Sequence, residues 1–472
     1  MDSNKSHRVL TRRELLKYGV CGGAATVLSG GLSLGGCSGK RKKEKPNVLL
    51  ISLDTVRRDH CSAFGYDLDT TPNLTQLAKQ GTLFDLAYAP SSTTAPSHAT
   101  MFTSLYPISH GVVKNGVGLS DTYETLAEIF KAQGYQTAAV VSSFVLHSKF
   151  GFAQGFSHFD DDFLSSERKT DIKEWEGQEI EGAFDRRGNY VTERAIHWLG
   201  NERNGTEPFF MFVHYFDAHN PYDPVEPFRS AFAPKNPSAG AVEKAIGRYD
   251  AQIAFVDECM GKLLAEMDRT GLKNNTLIIV VSDHGEGLMQ HGFMYHGVHI
   301  YEEAVRVPVI FRFPGRIEKG MVLTGPVGLV DLAPTILSLA DIDVLNSAFQ
   351  GQNLAPALYG RSSLEPDRPV YLYRRRYDEA MLGDIKAKGE KFGIRIGRWK
   401  YIEGVEEGTK ELYDLREDPG EHKNLYADSS KIAISLADHL QQWKHAHLSS
   451  TSAPATTNKE DLRKLKSLGY VD

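Results

Sequence analysis

The 472 residues carry 54 Lys and Arg against 60 Asp and Glu, a net charge of −6, with 41% hydrophobic, 24% charged and 10% aromatic residues. That is globular composition, long enough for two or three domains and a large core. The 43 Gly and 20 Pro follow no collagen-like period, four Cys are too few for a disulfide framework, and the excess of acid argues against a nucleic-acid binder.

Near the N-terminus Lys5, Arg8, Arg12, Arg13 and Lys17 precede a Gly-, Ala-, Val- and Leu-rich stretch, residues 19–36, and a second basic cluster follows at residues 40–43. A charged segment ahead of a modest apolar one is the layout of an export signal. The run Thr11, Arg12, Arg13, Glu14, Leu15, Leu16, Lys17 resembles a twin-arginine signal, and Leu34, Gly35, Gly36, Cys37 resembles a bacterial lipobox. These resemblances imply a twin-arginine export machinery as partner, a signal over residues 1–36, and a lipidated Cys37 anchoring the exported protein to a bacterial membrane on its periplasmic or extracellular face. Residues 37–46 then form a basic linker, and of the cysteines only Cys61 and Cys259 persist as thiols or as a pair.

A first strand is expected at residues 48–53, an aliphatic run of the kind buried on both faces of a parallel sheet. It ends at Asp54, the strand terminus beyond which open α/β sheets bind ligands. Residues 89–105 place hydroxyls ahead of Pro96 and an apolar-spaced run, which describes a helix start. Thr94 there is either a helix-capping neighbour or, with a base or metal to lower its pKa, a nucleophile beside N–H groups that suit an anion. Residues 122–132, 191–199 and 242–267 read as helices, each followed by a strand, at 136–141, 208–214 and 276–283. Residues 164–187 read as a polar surface insertion. Strands alternating with helices give an α/β fold, a doubly wound and mostly parallel sheet with helices on both faces. Two strands finish on chemistry: one runs into His214, Asp217 and His219, the other into Asp283 and His284. Four of the chain's 17 histidines, His284, His291, His296 and His299, crowd between residues 283 and 299. Carboxylates and imidazoles converging from strand ends suit a divalent cation, against the alternative of a solvated polar loop.

Beyond a catalytic domain over residues 47–345, a small α+β subdomain is expected over residues 346–448. Its short strands lie at 370–373, 392–395, 399–402 and 411–414, forming an antiparallel sheet packed on a helix over 429–445. Residues 449–472 read as a flexible tail.

Pro46, Asn47 and the strand to Asp54, then Thr94, Ala95, Pro96, Ser97, His98, the pair Phe209 and Phe210, His219 to Tyr222, Ser282 to Glu286, and Asp418 to Glu421 resemble the sulfatase family of the alkaline-phosphatase-like superfamily. The resemblance implies one divalent cation (Zn, Mn, Mg or Ca) held by Asp54, Thr94, Asp283 and His284. It further implies catalytic roles for Thr94, His98, His219, His296 and His299, with His214 and Asp217 as ligands of any second ion. Its implied substrate is an anionic ester on a glycan or lipid headgroup. The departures matter as much. The family signature begins with a Cys or Ser converted to formylglycine and carries Arg four residues later; here those positions are Thr94 and His98, so no formylglycine is expected. Thr55 stands where a second metal acid is usual, and the Lys-x-His block is absent around residues 142–144. The implied activity is metal-dependent hydrolysis of a sulfate ester by a direct threonine nucleophile. A phosphoric ester hydrolase, a phosphoglycerol- or phosphoethanolamine-type transferase, and an inactive carbohydrate-binding lipoprotein are the alternatives.

Overall fold

The computed structural model describes residues 44–163, 174–175, 178–179, 184–343, 348–382 and 385–447. The expected export signal with Arg12, Arg13 and Cys37, and the expected tail, lie outside the described residues.

The central sheet has eight strands: β1 (Asn47–Leu53), β2 (Thr82–Phe84), β3 (Gln136–Val140), β4 (His158–Asp160), β5 (Phe209–Tyr215), β6 (Thr276–Ser282), β7 (Val309–Arg312) and β8 (Met321–Leu323). Their order is β8-β2-β7-β6-β1-β5-β3-β4. Only β7 runs against its neighbours, so the sheet is mostly parallel, as the alternation of elements predicts. β1 sits between β5 and β6 in register, Ile51 opposite Val213 on one side and Val280 on the other. Their side chains alternate between two cores. Val48 and Leu50 face the layer of α2 (Thr94–Thr103), α3 (Leu126–Ala132) and α6 (Leu332–Leu339). Leu49 and Ile51 face the layer of α1 (Pro72–Lys79), α4 (Gly188–His197) and α5 (Ala241–Arg269). Both faces of the strand are therefore covered, which is why it reads as an unbroken apolar run.

Local chemistry sets the element ends. α3 starts later than residue 122 because Thr125 and Glu128 form a reciprocal capping box in front of Leu126. α4 begins at Gly188 and closes through a π-turn, Trp198–Glu202. The strands β2, β4, β7 and β8 were not expected, since three or four residues carry too little periodicity to separate a strand from a loop.

The C-terminal sheet has four antiparallel strands in chain order, β9 (Val370–Leu382), β10 (Ile385–Ile396), β11 (Trp399–Gly404) and β12 (Thr409–Asp414). α7 (Ser430–His447) lays Leu436, Leu440 and Trp443 against it, with the Trp443 ring stacked on Tyr371 at 4.5 Å. β9 is three times the expected length. Its Tyr373 reaches the catalytic half, donating its backbone N–H to Pro90 O at 2.7 Å and bridging Ser91 just ahead of α2.

The choice left open for Cys61 and Cys259 falls to thiols: both are free and buried, each in the apolar layer of α1, α4 and α5. One expectation needs correction. Residues 164–187 are not wholly surface, because Arg186 is only 2% exposed. Its guanidinium holds Asp160 Oδ1 at 2.6 Å and Val141 O at 2.9 Å, while Arg194 holds Asp160 Oδ2 at 2.6 Å. Burial pushes the Asp160 carboxyl up, but the guanidiniums outweigh it and hold it below the usual carboxylate range. The pair's contribution is therefore present at neutral pH and lost as pH falls below that range. Arg186→Met should cost about 3–5 kcal/mol in urea unfolding at pH 7, the usual range when one partner of a buried pair is removed. The stability gap between wild type and Asp160→Asn should shrink steadily on acidification, and a pH-independent gap would contradict this account.

Candidate active site

Three chain segments meet at the carboxyl ends of β1 and β6. Asp54 follows β1, and its backbone N–H is tied to Tyr215 O at 2.8 Å. The next residue, Thr55, has φ 58°, a left-handed conformation unfavourable for a β-branched side chain. It is held there from both ends. Tyr249 donates its hydroxyl to Thr55 O at 2.6 Å, and Thr55 N–H donates to Asp283 Oδ1 at 3.2 Å. The sharp turn points Asp54 at Asp283 and locks Asp283 in turn, since His284 N–H also donates to Asp283 Oδ1 at 2.9 Å.

The third segment is the first turn of α2. Thr93 precedes the helix without a side-chain cap, and Asn115 Oδ1 instead takes the Ala95 N–H at 2.8 Å. Thr94 does not cap. Its Oγ1 lies 3.4 Å from Asp54 Oδ2 and 3.3 Å from His284 Nε2. His284 Nδ1 is 2.8 Å from Gly285 O, so its ring proton belongs on Nδ1 and the Nε2 lone pair faces Thr94.

Donor atoms of Asp54, Asp283 and His284 fall within 4.8 Å of one another, and all three residues are buried. Asp54 Oδ1 and Asp283 Oδ2 have no hydrogen-bond partner among the described residues. Burial first, and the neighbouring Glu286 second among the raising causes, push the Asp54 carboxyl up to about 7, against the opposing pull of His284. Burial and the Asp54 charge push Asp283 up as well. Two water-excluded carboxylates, each with an orphaned oxygen aimed at the same place beside an imidazole, fit a divalent cation: a positive ion removes both the repulsion and the unmet acceptors.

The remaining expected residues divide sharply. His98 lies beneath Thr94, with Nδ1 donating to Thr94 O at 2.9 Å and Nε2 at 2.9 Å from Ser52 Oγ. Burial pushes its pKa down to about 3, so the ring is neutral and both nitrogens are committed to fixing α2 on β1. It orients Thr94 and does not hold an anion. His214 joins the same cluster, Nε2 lying 3.2 Å from Asp54 Oδ2 and Nδ1 3.4 Å from Ser142 Oγ. Asp217 does not join it: its carboxylate packs against Gly188 at the start of α4, where a Cβ would come within 3.0 Å of Oδ2. Among the described residues the three-donor group is Asp54, Asp283 and His284, without His214 and Asp217. His219 stacks on Phe216 at 4.2 Å with its edge toward His296 at 4.8 Å, and its Nδ1 is bound to Asn220 O. His296 stands 4.5 Å from the His284 ring. His299 has ring neighbours of a different kind. Its ring packs beside His291, Phe293 and Tyr301, near Lys391 of the C-terminal sheet, because the loop turns back after Gly297 (φ 88°).

Three residues without an expected role belong here. Glu286 is buried and bridges Tyr222, whose hydroxyl donates to Oε2 at 3.0 Å, and His296 Nδ1, 3.0 Å from Oε1. Burial pushes its carboxyl up to about 8, so a protonated Glu286 donates to His296 Nδ1 and leaves the imidazole proton on Nε2. Ser52 secures His98, as above. Arg375 of β9 is 5% exposed and lies 4.0 Å over the Tyr377 ring, whose hydroxyl donates to Gly297 O beside His296. Its positive charge acts on His296. The triple Arg374, Arg375, Arg376 offers a signal, but a basic run in a strand reads first as a solvated edge.

Comparison with known proteins places this arrangement. The sulfatase family model matches residues 46–342, and a second model, N-sulphoglucosamine sulphohydrolase, C-terminal, matches residues 290–446. Among curated relatives, an N-acetylglucosamine-6-O-sulfatase of Bacteroides thetaiotaomicron is 24% identical over 87% of this chain and 89% of its own length. An arylsulfatase of Clostridium perfringens is 27% identical over 81% and 90%. A solved structure in complex with its substrate D-glucosamine-2-N,6-O-disulfate superposes with a TM-score of 0.72 at 23% identity, covering 88% of this chain and all (100%) of its own. A phosphonate monoester hydrolase of Agrobacterium radiobacter superposes with a TM-score of 0.70 at 24% identity, covering 86% of this chain and 96% of its own.

The cluster makes a measurable demand. Purified without chelator, the protein should carry about one divalent ion per chain by elemental analysis, as one three-donor site with open positions requires. Asp54→Asn with Asp283→Asn should abolish that content while keeping the fold by circular dichroism. Full metal content in the double variant would disprove the ligand set.

Proposed function

The chain belongs to the sulfatase family, by the match over residues 46–342, and on that premise we propose that it hydrolyses a sulfate ester with the unmodified Thr94 hydroxyl as nucleophile. The observation that carries this reading is the placement of Thr94 Oγ1 at the start of α2, 3.4 Å from Asp54 Oδ2 and 3.3 Å from His284 Nε2. A threonine that merely capped the helix would turn its hydroxyl back to its own backbone.

Asp54, Asp283 and His284, with Thr94 completing the set, would hold the divalent cation. When bound, that ion lowers the hydroxyl pKa and draws charge from the ester oxygens. Within Asp54 the unpartnered Oδ1 would be the oxygen that holds the ion, while Oδ2 accepts the Thr94 proton. Oγ1 then attacks sulfur, and the bond from sulfur to the leaving oxygen breaks. His219 gives that oxygen its proton and afterwards takes one from the water that releases the threonine-bound sulfate. His296, its proton kept on Nε2 by Glu286, donates to a sulfate oxygen from the opposite side.

The substrate class follows from the relatives. Their names include sulfatases of amino sugars and a bound glucosamine disulfate, which supports a sulfated saccharide over a phosphate ester or a transferase reaction. We further propose that residues 1–36 are removed on export and that Cys37 is acylated. Membrane-fraction protein should then begin at a lipid-modified Cys37, and Cys37→Ala should leave unprocessed or released protein; a soluble chain starting at Met1 would disprove the anchor.

For the chemistry, Thr94→Ala should cost at most about 1 kcal/mol of stability, the scale of a lost helix-start contact, while removing at least about 100-fold in kcat, the scale of one oriented transition-state group. Thr94→Ser should keep much of the rate. Sulfate and phosphate esters of the same aryl alcohol, assayed in parallel, should rank sulfate first, and intact mass should show Thr94 unmodified at rest. Full activity in Thr94→Ala overturns the nucleophile, and turnover confined to the phosphate ester overturns the substrate class.

A further inference from the structure

Where the C-terminal sheet meets the catalytic half there is a cavity of about 410 Å³, lined by residues from both, among them Tyr88, Arg306, Asp367, Arg395, Arg398 and Arg416. None of Asp54, Thr94, Asp283 or His284 lines it. Four guanidiniums on one wall set are unusual, and their partners decide what the cavity wants. Arg398 is paired with Asp414, and Arg306 lies against Asp85. Glu302 also lines the cavity, but its oxygens are taken by the Tyr88 hydroxyl at 2.9 Å and by Lys400 Nζ at 3.1 Å. Arg416, exposed at the rim, has no carboxylate partner among the described residues.

Arg395 is the decisive group. It is 6% exposed, yet its Nε and Nη1 have no hydrogen-bond partner. No carboxylate among the described residues pairs with it, and its guanidinium lies 5.2 Å from the Tyr88 ring. A guanidinium is always charged, so it cannot escape burial by losing a proton as Lys or His can. A buried fork of donors with nothing to donate to, opening on a cavity rimmed by further arginines, is an arrangement that an oxyanion completes with paired hydrogen bonds.

We propose that this cavity is a second anion site, in which Arg395 from the floor and Arg416 from the rim bind an oxyanion of the sulfate or carboxylate type. The anion is either free inorganic sulfate or a charged group on a neighbouring residue of a polymeric substrate. Binding there would tie β10 and the turn after β12 to the Tyr88 segment and thus brace the C-terminal sheet against the catalytic half.

The test uses the whole protein, with sodium sulfate against sodium chloride at matched ionic strength. Titration calorimetry on wild type should show a sulfate site that is weakened at least about tenfold, the scale of one charged hydrogen bond, in Arg395→Met and in Arg416→Ala. Asp54→Asn should retain it. Crystals soaked in selenate should show an anomalous peak within hydrogen-bond distance of Arg395. Arg395→Met should also raise Tm in chloride alone, since an unpaired buried charge has been removed. A group carried by substrate is distinguished by kinetics: both variants should raise KM for a sulfated oligosaccharide and leave a small aryl sulfate unchanged. Free sulfate is indicated when both substrates behave alike and only calorimetry responds. If calorimetry, selenate occupancy and oligosaccharide KM are all unchanged in Arg395→Met and in Arg416→Ala, the site does not exist. Should Arg395→Met fail to fold, the rim variant Arg416→Ala alone decides the matter. Because neither variant touches the Thr94 centre, these outcomes are independent of the nucleophile assignment.

Discussion

Two carboxylates buried against each other are the constraint on which the rest of this structure depends. Asp54 and Asp283 are shut away from water, each with an oxygen that no donor reaches. In such surroundings a pair of like charges repels strongly and neither is properly solvated. The protein nevertheless spends considerable structure on holding them there. Thr55 is kept in a left-handed conformation, Tyr249 and the backbone N–H of His284 clamp the turn on either side, and the paired strands β1 and β6 deliver the two acids to the same height. Strain of this kind persists where surrounding contacts over-determine it and is concentrated at working sites. A divalent cation would offset the repulsion and satisfy the two orphaned oxygens.

Second in importance is how Thr94 is fixed. Its helix is buried along its whole length, and three separate parts of the chain pin its first turn. His98 links the Thr94 carbonyl to Ser52 of β1, Asn115 takes the Ala95 N–H, and β9 of the C-terminal sheet pairs with Ser91 just upstream. The C-terminal sheet is thus more than an appendage. It also contributes Arg375 to the surroundings of His296, and its Lys400 is buried between Glu302 and Glu421 at 3.1 and 2.9 Å, an ion triad that joins the two parts of the chain through charge as well as packing. Breaking such a triad leaves an uncompensated buried charge, which resists separation of the two sheets.

Much of this was legible in the sequence because it depends on strands long enough to show a pattern. The aliphatic runs before Asp54 and Asp283 identify central strands, and strand ends are where α/β sheets carry ligands, so these acids and His284 could be placed together from the pattern, while Thr94, at a helix start, joined them only through the family resemblance. What escaped depends on turns and on pairings between distant segments. His299 lies only three residues from His296, yet with a positive-φ glycine between them the His296 ring packs beside His284 and the His299 ring beside His291 and Tyr301. Asp217 and His214 are separated by three positions at the end of a strand, where the chain has already left the pleat, so spacing says nothing of direction. Arg186 sits at the end of a charged stretch that reads as solvated, and only the fold of β4 shows Asp160 waiting for it. Composition alone does not distinguish a surface arginine from one that is bound on every nitrogen but faces inward.

The protonation of the site residues completes the electrostatic argument. With no ion, the inner group consists of Asp54, Asp283 and Glu286 surrounded by His98, His214 and His296, whose pKa values burial pushes down to about 3, 4 and 4. These imidazoles are neutral in ordinary conditions and bring no positive charge to the pocket. In the family signature an arginine stands where this chain has His98, and here that residue is neutral and turned inward to the strand. Among the groups around His296, the Arg375 guanidinium entering from the second sheet is the one that brings positive charge, and a cation at the paired acids would add to it. The charge of the site and the docking of the C-terminal sheet are therefore one electrostatic problem. A change that loosens β9 from Ser91 would weaken the anion's hold even with every residue around Thr94 in place.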